Sequence, residues 1–224
     1  WKDIIELNPD FDKVIFLGDY HDIYENEFLN KNWHSNSIKN LKEIIEFKKQ
    51  NLDKVVLILG NHDTHYMDDI STCSRFDYKN SINLKQLFRE NKELFQYAYQ
   101  IDNNFFCHAG ITKGWMDTVE LKGLKKDNSN LADVINELSK TDIGMRQLNF
   151  ISVYRGGWNT HAGITWTDSE EFFNFNKVPQ LHQYVGHNKV KSIYTLDLGH
   201  EAVITFCDVL GQKDLPLEKK YLIL

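Results

Sequence analysis

The sequence is poor in cysteine and has no long apolar run. Its three cysteines, Cys73, Cys107 and Cys207, are odd in number and far apart, so a disulfide framework is not expected and a reducing compartment is favoured. The longest aliphatic run, Val55 to Leu59, is far shorter than the roughly 18 apolar residues of a membrane span. No charged stretch followed by an apolar one opens the sequence, so no secretory signal is recognised. These absences predict a soluble, cytoplasmic protein.

Positive charge is also in deficit. The 26 Lys and Arg residues are outnumbered by 32 Asp and Glu residues, which gives a formal net charge of −6. This balance, with no local basic patch, repels nucleic acid and acidic membranes. We therefore expect neither as a partner, and a metal-dependent nuclease, which needs a basic groove, is the weakest hypothesis. The sequence gives no indication of the oligomeric state.

Proline and glycine interrupt the chain rarely, with three and twelve occurrences in 224 residues. No linker, repeat or low-complexity tract marks a domain boundary. The apolar fraction of 42% and the charged fraction of 26% are those of an ordinary globular protein. The sequence predicts a single domain over residues 1–224.

Short apolar runs alternate with helical patterns in the first half of the chain. Residues 13–17 and 54–59 are rich in β-branched side chains and end in glycine, which is typical of strands buried on both faces. Between them, Ile38, Leu41, Ile44 and Ile45 recur at helical spacing. The order strand, helix, strand predicts an α/β protein.

The second half of the chain contains more strand-like segments. Residues 84–95 and 131–138 carry two further helical stripes, and Asn83 with Gln86 is expected to form a capping box for the first. Strands are predicted at residues 104–111 and, three in succession, within 183–209. Together with the first half, this pattern predicts an α/β (α+β) fold with two packed mixed β-sheets flanked by helices.

Four of the apolar runs end at side chains that can bind metals. These are Asp19 after Gly18, Asn61 after Gly60, His108 after Cys107 and His187 after Gly186. Loops at the carboxyl ends of adjacent strands converge on one crevice in an open α/β sheet. Two imidazoles, a carboxylate and an amide oxygen suit Mn, Fe, Zn or Ni better than Ca. From the residues alone, turn and helix-cap roles are favoured for Asp22, Asn61 and Asp63, because Asn and Asp are common after Gly for backbone reasons.

The runs VIFLGDYHD, LILGNHD, FFCHAGI and YVGHN resemble, in order and spacing, the signature blocks of the calcineurin-like metallophosphoesterases. The resemblance extends from about Val14 to the C-terminus, including ITWTDSEEF and IYTLDLG, and is closest to the bacterial and phage serine/threonine phosphatase branch. It implies an αββα sandwich that holds two divalent metal ions, with Mn expected first and Fe, Zn or Ni as alternatives.

The resemblance also implies roles for individual residues. Asp19 would bridge both metals, and Asn61, His108 and His187 would complete the second site. A metal-bridging hydroxide would attack phosphorus without a covalent enzyme intermediate. His62 would protonate the leaving group and Asp22 would orient its ring, while Asp63 is assigned no chemistry.

The sequence departs from the family pattern in two places. The first Asp-x-His block, which supplies two ligands of the first metal, should precede Trp1 and is absent, so we expect an N-terminally truncated sequence. Ile23 stands where the protein phosphatases place a phosphate-binding Arg, and Arg155 is the substitute that we expect, with a solvated loop arginine as the alternative. The other histidines are expected to be surface or packed residues: His21, His34, His65, His161, His182 and His200.

The resulting hypothesis is a metal-dependent phosphatase acting on phosphomonoesters. Its partner would be a phosphorylated substrate, either a phosphoprotein bearing phosphoserine or phosphothreonine or a small phosphoester such as a dinucleoside polyphosphate. The alternative is a catalytically silent binding or scaffold domain with an incomplete metal site, because a fold does not by itself determine function.

Overall fold

The computed structural model of the chain describes residues 1–22, 33–67, 73–119, 130–173 and 177–224, with the backbone alone at residues 33 and 34. Ile23 and most of the loop before Trp33 lie outside the described residues. Two compact units are formed, one by residues 12–96 and the other by residues 1–11 with 97–224. Each unit is built around its own sheet.

The sheet of residues 12–96 has three parallel strands in the order β1-β2-β3. They are β1 (Val14–Phe16), β2 (Val55–Ile58) and β3 (Phe95–Gln96). Strand β2 lies in the centre and all four of its residues are buried, because a central parallel strand is covered on both faces. The two strands predicted from apolar runs are confirmed.

Among its described residues, this unit also has the helices α2 (Trp33–Gln50), α3 (Asn61–Met67) and α4 (Ser81–Glu90). Helix α2 lies against β2 and buries Leu41, Ile44 and Ile45. Each such side chain contributes about 1.5–3 kcal/mol by burial. The periodicity therefore identified the buried face of α2 correctly.

The expected capping box of α4 is wrong. The helix begins at Ser81 after Asn80, and no side chain caps its first turn. Gln86 instead donates a hydrogen bond to Glu90 one turn later. Phe95, counted in the helical stripe, lies in β3, because the chain turns in a short 3-10 helix at Lys92–Leu94.

The second unit holds a five-stranded mixed sheet in the order β4-β5-β6-β8-β7. Strands β5, β6 and β8 are parallel neighbours, and β4 and β7 pair antiparallel at the two edges. The strands predicted at 104–111 and within 183–209 are confirmed. Their bounds are β4 (Ala98–Ile101), β5 (Asn104–Cys107), β6 (His182–Val185), β7 (Tyr194–Asp197) and β8 (Val203–Phe206).

The α-helices in the described part of this unit are α1 (Lys2–Leu7), α5 (Lys113–Thr118), α6 (Leu131–Leu138) and α7 (Asp142–Leu148). Helix α6, predicted from periodicity, begins with a capping box formed by Asn130 and Asp133. Asn136 accepts hydrogen bonds from the amides of Tyr97 and Ala98 and donates to the carbonyl of Ala98. The side chain thus acts as a partner for the backbone at the start of β4.

Two sheets and their helices confirm the mixed α/β class predicted from the sequence. Within the described ranges, no helix combines the length and the apolar character needed to cross a membrane. The prediction of one domain over residues 1–224 stays a prediction.

Candidate active site

The loop after β1 carries the first predicted ligand in a sharply turned backbone. Gly18, Asp19 and Asp22 have φ angles of 97°, 58° and 61°. This left-handed region costs glycine little, and Asp tolerates it better than most residues because its short side chain can bond locally. The sequence G-D-x-x-D therefore suits a tight reversal directly after the strand.

Asp63 ties this loop to the loop after β2. Its buried carboxylate accepts hydrogen bonds from the backbone amides of Asp19 at 2.7 Å, Tyr20 at 3.0 Å and Gly60 at 2.7 Å. Burial and the nearby Asp19 carboxylate raise the pKa of Asp63, and the three backbone donors oppose that rise. Asp63 is therefore a structural residue that fixes the two loops, consistent with the lack of any chemical assignment from the sequence.

His62 and Asp22 form the pair expected from the sequence. Helix α3 starts at Asn61 directly after β2, which places His62 in its first turn. His62 Nδ1 lies 3.1 Å from Asp22 Oδ2, and the His62 amide donates to Asp19 Oδ1 at 3.1 Å. The side chains of His62 and Asp22 are both buried. The structure thus brings Asp19, Asp22, Asn61 and His62 together within one unit, while their chemical roles stay predictions.

Asp22 is the centre of a larger network than the sequence indicated. Its Oδ1 accepts the hydroxyl of Tyr66 at 2.5 Å, and its Oδ2 lies 2.7 Å from His65 Nε2. Burial alone would raise the pKa of Asp22, but hydrogen bonds from His62, His65 and Tyr66 outweigh it and hold the pKa below its ordinary value. The carboxylate is therefore kept ionised beside the imidazole of His62. His62, His65 and Tyr66 are three and four residues apart on α3, and this spacing is the signal that could have revealed the network.

Two residues that follow α3 also reach His62. Arg75 Nη2 lies 2.5 Å from His62 Nε2, and Arg75 Nη1 donates to the backbone carbonyl of Asp22. The Sγ atom of Cys73 lies 3.0 Å from His65 Nδ1 and 3.5 Å from His62 Nδ1. Burial, with the carboxylates of Asp22 and Asp19, raises the pKa of the Cys73 thiol to about 12. No motif in the sequence singles out Arg75 or Cys73.

In the second unit, the two predicted histidine ligands lie side by side. Strands β5 and β6 are parallel neighbours with Cys107 opposite Val185, so the chain leaves both at the same edge. The Gly186 amide donates to the His108 carbonyl at 2.8 Å. The His108 and His187 rings lie 5.0 Å apart between centroids. Two imidazoles that converge at strand ends fit a divalent transition metal, and the convergence of this pair with Asp19 and Asn61 stays a prediction.

Arg155 is held beside the segment that carries His187. Its Nε lies 2.6 Å from Asp168 Oδ2, and its Nη2 donates to Asn188 Oδ1 at 2.5 Å. Asn188 directly follows His187, and about a third of the Arg155 side chain is exposed, at 31%. An ordered, partly exposed guanidinium of this kind is able to receive a phosphate group.

The remaining histidines are divided between packed and surface positions. His21 is buried and contacts Asp77 at 3.1 Å, and His65 is buried beside Asp22. His182 stacks on Tyr184 with ring centroids 4.2 Å apart. His161 is half-buried and His200 exposed, and the side chain of His34 lies outside the described residues. The expectation for His65 was incomplete, because it belongs to the Asp22 network.

The chain was compared with family models and with solved structures. The model of the family described as calcineurin-like phosphoesterase matches residues 1–213. Among solved structures, the chain is similar to a cold-active protein tyrosine phosphatase, with 15% identity, a TM-score of 0.47, and coverage of 88% of this chain and 59% of that one. It is also similar to the cold-active protein tyrosine phosphatase of a psychrophilic Shewanella species, with 17% identity, a TM-score of 0.46, and coverage of 88% and 60%. The chain therefore spans about 60% of the length of that protein.

Proposed function

The chain belongs to the calcineurin-like phosphoesterase family, and we propose that it is a metal-dependent phosphatase that hydrolyses phosphomonoesters. Membership of this family supports the general assignment of the chain as a phosphoesterase, which is a class of hydrolase. The observation that carries the finer proposal is the buried pair of His62 and Asp22, at 3.1 Å, next to the predicted ligand Asn61. An imidazole oriented by a carboxylate is a common arrangement for proton transfer to a leaving group.

We assign Asp19, Asn61, His108 and His187 as the ligands of two divalent metal ions, with manganese as the first candidate. The donor set of each unit fits this assignment: oxygen ligands follow β1 and β2, and two adjacent imidazoles follow β5 and β6. When bound, the metals would supply a water of lowered pKa and would neutralise charge on the phosphoryl group. A bound cation would also offset the negative charge that Asp19 and Asp22 concentrate in their unit.

His62 needs a proton on the nitrogen that faces the substrate. Its Nδ1 faces the ionised carboxylate of Asp22, so Nδ1 carries a hydrogen in this state and Nε2 accepts from Arg75. A substrate phosphate would compete for the guanidinium of Arg75 and release Nε2 to hold a second proton. That proton would then pass to the leaving alkoxide. Asp22 would stabilise the doubly protonated ring.

Two arginines are proposed as phosphate contacts. Arg155, held by Asp168 and Asn188, was expected from the sequence to replace the Arg that is absent at Ile23. Arg75 is an addition from the structure, because its guanidinium already lies against His62. Phosphoproteins bearing phosphoserine or phosphothreonine are the proposed substrates, with dinucleoside polyphosphates, whose cleavage would release a phosphate in place of an alkoxide, as the small-molecule alternative.

The test replaces His62 by Ala and compares it with His200→Ala, an exposed histidine outside the network. Turnover of a phosphomonoester and bound manganese are measured for both variants and for the wild-type chain. We expect His62→Ala to lose about 10²- to 10⁴-fold in rate, as is usual for a general acid, with the metal content and the His200→Ala rate unchanged. Loss of metal together with rate would contradict the acid role. A wild-type chain that binds phosphopeptide but turns over no phosphoester would favour the binding-domain alternative.

A further inference from the structure

A second cluster of metal-type ligands lies beside the proposed acid. The ligand atoms of His62, His65 and Cys73 all lie within 4.8 Å of one another. His62 and His65 are buried, and Cys73 is half-buried. The resemblance that assigns Asp19, Asn61, His108 and His187 to metals gives no role to His65 or Cys73.

The orientation of His65 is that of a metal ligand. Its Nε2 lies 2.7 Å from Asp22 Oδ2, and because an ionised carboxylate only accepts, Nε2 is the protonated nitrogen. Its Nδ1 therefore carries the lone pair, which accepts the backbone amide of Cys73 at 3.4 Å and faces Cys73 Sγ at 3.0 Å. In many metal sites the second nitrogen of a ligating histidine lies beside a carboxylate, which fixes the ring and raises its basicity, and His65 Nε2 has a carboxylate at this position.

His62 offers the third ligand atom. Its Nδ1 lies 3.5 Å from Cys73 Sγ and 3.1 Å from Asp22 Oδ2. Two imidazoles and a thiolate form a mixed nitrogen and sulfur set that Zn²⁺ prefers and that suits Mn²⁺ poorly. We propose that His62, His65 and Cys73 form a zinc site that is separate from the predicted catalytic metal ligands.

Zinc at this site would inhibit the enzyme, a consequence that rests on the proposed function. Binding would replace the thiol proton of Cys73, which leaves to solvent, and would displace the proton of His62 Nδ1, while Nε2 takes up a proton from solvent so that the ring stays neutral. The hydrogen bond from His62 to Asp22 is then lost, and Nε2 becomes a donor that can no longer accept from Arg75. The state that binds zinc and the state in which Asp22 orients His62 are therefore mutually exclusive.

The binding test uses Co²⁺ alone as a spectroscopic substitute for zinc. The predicted catalytic ligands include no sulfur, so a thiolate-to-cobalt charge-transfer band reports a cysteine ligand, and the variants show whether that cysteine is Cys73. We expect the band in the wild-type chain and in Cys207→Ser, and its loss in Cys73→Ser. A band that persists in Cys73→Ser, or no band in the wild-type chain, would overturn the proposal.

A second measurement needs no variant. The wild-type chain is treated with an alkylating reagent with and without Zn²⁺, and the modified cysteines are identified by mass spectrometry. Zinc should slow the modification of Cys73 and leave that of Cys207 unchanged. Equal rates for Cys73 with and without zinc would refute the site even if Cys73→Ser failed to fold.

Inhibition is then measured on the manganese-loaded chain, each variant against its own zinc-free rate. Loss of even an outer partner of a zinc ligand lowers affinity about 10- to 100-fold, so Cys73→Ser should need at least about tenfold more zinc for half-inhibition than Cys207→Ser. Equal inhibition of the two variants would refute the regulatory role. Absence of any phosphatase activity would instead refute the proposed function, and the cobalt band and the alkylation rates would still decide the zinc site.

Discussion

The carboxylate of Asp63 should make a large contribution to the stability of residues 12–96. It accepts three backbone amides, two of them at Oδ2 and one at Oδ1. In Asp63→Asn only one side-chain oxygen remains. At the position of Oδ2 it can accept the amides of Asp19 and Gly60, and the amide of Tyr20 then loses its acceptor. An unsatisfied buried donor costs about 1–3 kcal/mol, and each remaining bond loses about 1 kcal/mol when its acceptor becomes neutral. Because the native state already pays for burying the Asp63 charge, we expect the lower end of the summed range, a decrease of about 3 kcal/mol in the free energy of unfolding.

This loss corresponds to a decrease in Tm of about 6 to 12 °C for a chain of this size. Urea unfolding of the metal-free protein, followed by circular dichroism, measures it without a contribution from metal binding. Asp53→Asn, an exposed aspartate in the turn before β2, is the matched control and should leave the midpoint unchanged. If Asp63→Asn and Asp53→Asn unfold at the same urea concentration, the carboxylate does not hold the loops and the reasoning fails.

Three further predictions concern the second unit. Arg155→Ala should raise KM for phosphomonoesters about 10- to 100-fold, because this is the loss of affinity expected when a charge-assisted hydrogen bond to phosphate is removed. Unchanged kinetics would show that Arg155 is a solvated loop arginine. Burial lowers the pKa of His182, so the unfolded chain takes up a proton first and the stability falls as the pH decreases below about 6.5. In urea unfolding, His182→Gln should therefore lose less stability between pH 7 and pH 5 than the wild type. The control His200→Gln should lose as much stability as the wild type. Gly144→Ala would place a Cβ 2.0 Å from the carbonyl oxygen of Leu138 and should cost roughly 1–3 kcal/mol, and an unchanged melting temperature would show that α7 can shift freely.

Local sequence patterns were sufficient for most of the strands and helices. The continuous apolar run at residues 54–59 identified β2, because a strand covered on both faces needs no polar alternation. The prediction failed at Phe95, where an apolar residue in helical register belongs to a strand instead. Periodicity alone cannot separate the two when a short turn such as Lys92–Leu94 lies between them.

The candidate site was predictable only where residues directly follow strands. His62 and Asp22 stand in short blocks whose spacing is local, and the structure pairs them at 3.1 Å. Cys73 and Arg75 come from the chain beyond α3, and their approach to His62 depends on the tertiary path of that segment. Asp63 could be assigned to chemistry or to a turn from its sequence position. Its three backbone donors decide in favour of the structural role.

The central position of β6 has a consequence for biosynthesis. Strand β5 pairs early with its hairpin neighbour β4, but its other partner, β6, is made only after the ribosome has added the whole segment from Ala109 to Leu181. Until then, one edge of β5 presents unpaired backbone groups beside apolar side chains, a surface prone to aggregation. His108 has no neighbouring imidazole during this interval. Binding of the proposed metal by the His108 and His187 pair therefore has to follow the synthesis of β6.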